Sequence, residues 1–313
     1  MKRLKKKKVI YIIILIALLI IAIFSFIYFK NPARNIPEDS RPFLNDKGQL
    51  IVTTSLFAVY DFAKAVGGDK AEVVLILPPG SETHSFVPQD QALNSIKKSA
   101  IFFYTSDIME PWAKALKKEI TAKTKIVAAG SGLNDKNLDP HVWLDLTKAS
   151  QMVDAVAASY TAVDPANTAY YQENAKSYKN KLAELDAKFV TGLKDCQFHE
   201  FISSGHFTFD YLAKRYHLKY QSVQGFIPDD NFDKEKVVAL GRELKSSGQP
   251  YVYYEEMIMP YLGEILHRES GANLMPLNAA HNVGKYDISG GLTFINLMEN
   301  NLKNLEIGLK CHL

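Results

Sequence analysis

Beyond residue 49 the chain alternates short apolar runs with segments whose apolar residues recur every three or four positions. In a first block, 50–53, 71–77, 101–104 and 126–128 are β-branched or aromatic runs of strand length. Between the first two, Leu56, Val59, Phe62, Ala63 and Val66 share one helical face, and Gly67-Gly68 closes that helix. A second block repeats the pattern, with strands predicted at 201–203, 220–223, 251–254 and 274–277 and helices around 207–216, 233–246, 260–270 and 291–307. This alternation predicts an α/β fold of two lobes with mostly parallel sheets, residues 49–163 and 196–313.

The stretch between the blocks has a different period. Asp164-Pro165 reads as a cap followed by proline at the first helical position, and Tyr171, Ala175, Tyr178, Leu182, Leu185, Phe189 and Leu193 then recur at helical spacing. One backbone helix of about thirty residues, roughly 45 Å long, is predicted within 164–195. That exceeds the needs of a small lobe, so it would cross both and allow them only limited movement.

The first thirty residues carry a separate pattern. Six of the first eight are Lys or Arg, and residues 9–28 then run without a charge. As a helix this run spans roughly 30 Å of hydrocarbon. The basic flank, 1–8, is expected to stay in the cytoplasm, with 9–29 as a single transmembrane anchor and everything after it outside. A cleaved signal peptide is the rival, but bulky Phe24, Phe26, Ile27, Tyr28 and Phe29 close the run where a small-residue cleavage site would be needed. No cysteine follows the run to carry a lipid, and residues 30–48, with Pro32, Pro37 and Pro42, read as a tether.

Composition narrows the classes. At 47% hydrophobic and 23% charged the chain is ordinary globular protein, and 313 residues favour two domains over one. The net charge of +3 comes from the N-terminus. Of the 37 basic residues seven lie in 1–30, leaving 30 against 34 acidic ones, which excludes a broad basic nucleic-acid surface. Two cysteines, Cys196 and Cys311, are too few for a disulfide scaffold or a Cys-rich zinc fold. Outside the membrane they either bridge, stapling the terminus to the second lobe, or remain two free thiols.

The chemistry lies in the histidines. His84 in PPGSETHSFVP, His141 in LDPHVWLD, His206 in SSGHFTFDYLAKRY and His281 in MPLNAAHNV each sit in a loop shortly after an apolar run, two per lobe. Loops at the carboxyl ends of strands in open α/β sheets face the ligand crevice, so four imidazoles would converge between the lobes. Four imidazole nitrogens satisfy tetrahedral zinc. His199, His217, His267 and His312 read as surface residues.

The segments PPGSETHSFVP, DPHVWLD, SSGHFTFDYLAKRY, YYEE and PLNAAHNV, in this order, resemble the cluster A-I solute-binding proteins of ABC importers for zinc and manganese, over residues 49–313. The resemblance implies two lobes joined by a backbone helix and one metal held in the cleft by His84, His141 and His206. It also implies a monomeric receptor that hands its metal to an ABC importer permease at the membrane. The family's fourth ligand is commonly Asp or Glu, whereas this chain has Asn278 and His281 there. The His/Asp-rich loop of some zinc members is missing, since 131–138 holds no histidine.

His281 is the expected fourth ligand, which favours zinc over manganese; Asn278, Glu255, Glu256 or water are the alternatives. Glu82 either orients a ligand or is a solvated loop charge. Asp145 caps the helix starting near Thr147 or takes a proton from a ligating imidazole. Trp143 and Phe207 flank ligands and either keep the site dry or serve the core. The expected function is thus an extracytoplasmic zinc receptor with no catalytic step. A surface zinc hydrolase, with Glu82 or Glu256 as base but no HExxH helix, is one alternative. A metal-binding adhesin is another.

Overall fold

Strands covered by helices on both faces must be apolar on both faces, and the central strands of this chain are. In the computed structural model, which describes Leu19 and residues 43–120, 123–134, 139–226, 232–255 and 261–312, strand β3 (Ile101–Tyr104) is buried at every position. The edge strand β2 (Ala71–Leu75) instead alternates between buried and open positions. With β1 (Leu50–Thr54) and β4 (Lys125–Ala128) they form a parallel sheet in the order β2-β1-β3-β4. A second parallel sheet, β5 (Glu200–Ser203), β6 (Lys219–Ser222), β7 (Tyr251–Glu255) and β8 (Asn273–Leu277), has the equivalent order β6-β5-β7-β8. In each sheet the chain leaves its first strand toward one edge and then crosses to the other side. The loops after the first and third strands therefore diverge, opening a crevice at the carboxyl ends.

The predicted helices are present with shifted ends. Helix α1 (Phe57–Gly67) stops at Gly68, whose φ of 48° suits glycine, and a Cβ on Gly67 would come within 2.7 Å of the Tyr160 hydroxyl. The rest of the first lobe adds α2 (Asp90–Lys97), α3 (Pro111–Glu119) and α4 (Leu146–Val163). The backbone helix α5 (Thr168–Gly192) has 25 residues rather than about thirty. Pro165–Asn167 forms a separate 3-10 turn. Asp164 does not cap it through its side chain; its carboxylate accepts from Asn167 Nδ2 at 2.6 Å and Tyr171 OH at 2.7 Å. The predicted stripe on α5, from Tyr171 to Phe189, is buried as expected. The second lobe contributes α6 (Asp210–Arg215), α7 (Lys234–Ser247), α8 (Tyr261–Ser270), α9 (Lys285–Ser289) and α10 (Phe294–Gly308).

One apolar cluster runs from Leu50 through α4 and α5 to Leu309, so the sheets share a core through the backbone helix. Buried Asp61 on α1 joins three elements, accepting from Tyr178 OH on α5 at 2.6 Å and from the Phe294 N–H that starts α10 at 3.1 Å. Cys196 and Cys311 are disulfide-bonded, and Gln197 N–H and Phe198 N–H donate to Lys310 and Leu309 carbonyls beside the bridge.

Of the tether expected over 30–48, the described part begins at Phe43 and is bonded to β1. Ile51 N–H donates to the Phe43 carbonyl, and Asn45 Oδ1 accepts from the Lys47 and Gln49 N–H groups in a tight turn. Among the described residues no helix is long and apolar enough to cross a membrane. The expected anchor, apart from Leu19, lies outside the described residues, as do residues 30–42, 135–138 and Glu256.

Candidate metal centre

Each of the four predicted histidines sits on a loop that leaves the carboxyl end of a sheet or follows a turn beside it. After β2 the chain turns at Gly80, with φ of 81°, and the exposed Glu82 carboxylate accepts the His84 N–H at 2.6 Å. Glu82 therefore shapes the loop through its backbone. His141 is fully buried, and Asp139 two residues earlier accepts both its N–H at 3.0 Å and its Nδ1–H at 2.7 Å. That leaves the lone pair on Nε2, the usual device for orienting a ligating imidazole. Burial pushes the Asp139 carboxyl up to about 7, against the lowering effect of the His141 N–H.

His206 follows β5 and is equally enclosed. Its N–H donates to Glu255 Oε1 at 3.0 Å, and its Nδ1 lies 2.9 Å from the same oxygen, at ion-pair distance but off the line of a directed hydrogen bond. Glu255 reaches this position because residue 205 is glycine, where any Cβ would overlap the carboxylate. His281 follows β8 after Ala280, which holds a left-handed φ of 55°. Its Nε2 is buried and has no hydrogen-bond partner.

The four rings come together. Their ligand atoms all lie within 4.8 Å of one another. His84 Nε2 is 3.1 Å from His206 Nε2 and 3.4 Å from His141 Nε2, and the latter two are 3.3 Å apart. A tetrahedron with metal–nitrogen bonds of about 2.0–2.1 Å has edges of about 3.3 Å. The six centroid separations, 5.3, 4.9, 5.3, 5.2, 4.9 and 5.3 Å, are nearly equal, as the vertices of a tetrahedron must be. Burial together with the neighbouring imidazoles lowers His84 to about 3 and holds His141 and His281 well below the usual histidine range. Neutral rings with free lone pairs are the protonation state that zinc requires.

The flanking residues divide. Trp143 is fully buried, stands edge-on to His141 and His281 with centroids 5.4 Å away, and donates its Nε1–H to the Ala279 carbonyl at 2.8 Å. Phe207 turns away from the rings to pack on Tyr220 and Phe226. Asp145 caps α4, accepting from Thr147 N–H at 2.8 Å. Asn278 accepts the Ala280 N–H on its side-chain oxygen at 2.7 Å, and its own backbone N–H and carbonyl pair with the Asn301 side-chain amide, so it shapes the loop. His199, His217, His267 and His312 are exposed and apart from the cluster.

Sequence reasoning passed over two residues here, Asp139 and Thr208, and missed the partners of a third, Asn282. The first two stand two positions from a histidine, and polar residues at that spacing were the available signal. Asn282 donates to the Pro78 carbonyl at 2.8 Å and the Ser81 carbonyl at 2.9 Å, tying the His281 loop to the His84 loop.

Residues 52–308 match the model of the ZnuA family, described as the periplasmic zinc-uptake complex component A. The chain is 30% identical over 281 residues to the high-affinity zinc uptake system protein ZnuA of Bacillus subtilis, covering 83% of this chain and 88% of that protein. It is 30% identical over 279 residues to the zinc-binding lipoprotein AdcA of Streptococcus pneumoniae, covering 83% of this chain but only 56% of that longer protein. The crystal structure of the Zn(II)-bound ZnuA-like domain of that AdcA superposes with a TM-score of 0.74 at 31% identity, over 84% of this chain and 99% of the domain.

Proposed function

The chain belongs to the ZnuA family of zinc-uptake components, and from that membership we propose that it is an extracytoplasmic receptor that captures one zinc ion and delivers it to an ABC importer permease. The observation that carries this reading is the convergence of four imidazoles, two from each lobe, at the spacing of a tetrahedral zinc shell. His84, His141, His206 and His281 are the proposed ligands. Asp139 and Glu255 orient His141 and His206 from behind, Asp139 through the Nδ1–H and Glu255 through the backbone N–H and its position beside Nδ1. An all-imidazole shell favours zinc over manganese, which prefers oxygen donors and higher coordination. The task is binding and hand-over with no catalytic step.

The charge-free run 9–28 with its basic flank supports an N-terminal anchor in place of the lipid implied by the name of the pneumococcal relative. The receptor would then stand as a monomer on the outer side of the membrane, with lobes 49–163 and 196–313 around the linker 164–195. The test is metal analysis and zinc titration of the purified full chain. One zinc per chain, with manganese competing poorly, is expected; a protein that binds no zinc would overturn the reading. Membrane sedimentation and N-terminal sequencing test the anchor, and a mature terminus at residue 30 or beyond would refute it.

A further inference from the structure

The hydroxyl of Thr208 stands where a ligand's lone pair should be free. Thr208 is fully buried, and its Oγ1 lies 2.5 Å from His206 Nε2, the nitrogen that faces His84 and His141. The direction of this hydrogen bond follows from the other side of the ring. His206 Nδ1 makes no directed hydrogen bond, but a Glu255 carboxylate oxygen 2.9 Å away favours the tautomer with its proton on Nδ1, which leaves Nε2 bare. The Thr208 O–H is therefore the donor. His141 is arranged alike, with its proton held on Nδ1 by Asp139 and its own bare Nε2 3.3 Å from that of His206. Two lone pairs facing each other at that distance repel, and the Thr208 proton relieves one of them.

We propose that Thr208 is an internal competitor for the metal: its hydroxyl proton occupies the His206 lone pair while the site is empty, and must be given up when the ion binds. The inference rests on the zinc-receptor reading above. Such a residue steadies the preformed cluster and weakens retention of the ion, a useful combination for a carrier that must let go. Its placement is not a loop accident. The Thr208 N–H points at the Tyr220 hydroxyl at 3.3 Å, and that hydroxyl donates to the His206 carbonyl at 2.9 Å, so one tyrosine sets the turn that carries both side chains.

The test compares the full-length wild type with Thr208→Val and Thr208→Ser by zinc competition against a fluorescent chelator. Stopped-flow release of zinc into excess chelator supplies a second readout. Valine keeps the shape and removes the proton, so Thr208→Val is expected to bind zinc roughly 2- to 10-fold more tightly, the scale of one net hydrogen bond, and to release it correspondingly more slowly. Thr208→Ser restores the donor and should behave as wild type. Thr208→Ala carries the same expectation as Val and serves if the branched apolar side chain is not accommodated. Weaker binding by the hydroxyl-free variants would mean that the oxygen is itself a ligand or a prop, and unchanged binding that the contact is incidental; either overturns the proposal. Failure of the wild type to bind zinc would instead sink the receptor reading, so the two failures are distinct.

Discussion

The two histidine loops of the second lobe are held in opposite ways. The His206 loop is bonded to its own lobe, through Glu255 at the end of β7, Tyr220 on β6 and the Gly225 carbonyl. The His281 loop is moored to the other lobe. Its Ala279, Ala280 and His281 carbonyls accept from Trp143 Nε1–H, Ala58 N–H and Phe57 N–H, and Asn282 donates to the Pro78 and Ser81 carbonyls. Helix α1 has no side-chain cap, so its first N–H groups take carbonyls from across the cleft instead. Counted along the chain the histidines divide two and two. Counted by what holds their backbones they divide three and one, with His206 alone on the far side. Membership of a lobe is thus set by hydrogen bonding as much as by sequence order.

The largest effect expected from breaking this arrangement is loss of a ligand. His206→Ala and His281→Ala should each weaken zinc binding by more than about 100-fold, beyond the cost of losing an outer-sphere partner, with circular dichroism unchanged. Asn278→Ala should leave affinity within a few-fold, and the reverse ranking in zinc titrations would reject His281 as ligand. Next, Glu255→Gln should lower affinity by roughly 10- to 100-fold, because it removes the carboxylate that keeps the His206 proton on Nδ1. Asn282→Ala, which cuts two cross-lobe bonds while sparing every ligand, should cost about 1–3 kcal/mol in denaturant unfolding of the metal-free protein.

The smallest effect sharpens the moored side. Glu110 is fully enclosed beneath the turn that leads into α1, accepting from Ser55 Oγ and from the Thr105 and Ser106 N–H groups. Burial raises its carboxyl from 4.5 to about 7. The folded state therefore binds more protons than the unfolded one, and this stabilising contribution is complete below about 4.5 and lost as pH rises through about 7. The stability of wild type relative to Glu110→Gln should be greater at pH 5 than at pH 8; thermal melts of the two metal-free proteins that shift in parallel would remove this assignment.

Much of this was legible in the residues because it is periodic or punctuated. The eight strands follow from β-branched and aromatic runs, the buried stripe of α5 from its repeat, and the four histidines from their position after strands. What was not legible depends on pairing across distance. Asp139 stands two residues before His141 and Asp145 four after it in LDPHVWLD, and only the fold decides that the first holds the ring and the second caps a helix. That Glu255 stands beside His206 could not be read from YYEE, because its place rests on Gly205, fifty residues away, leaving room for the carboxylate. Thr208 and Asn282 are unremarkable polar loop residues until their partners are brought to them. The length of the backbone helix was overread because Pro165 begins a 3-10 turn as readily as an α-helix.

The shared core bears on how such a protein can be divided. The cluster running from Leu50 to Leu309, together with the Asp61 carboxylate that joins α1, α5 and α10, means that a cut between the sheets would leave each fragment with half an interior and a bare face. The two lobes look like modules in outline and in strand order, yet as heritable parts they are inseparable. Recombination that exchanged one lobe for a distant relative's would have to bring the matching face of the backbone helix with it.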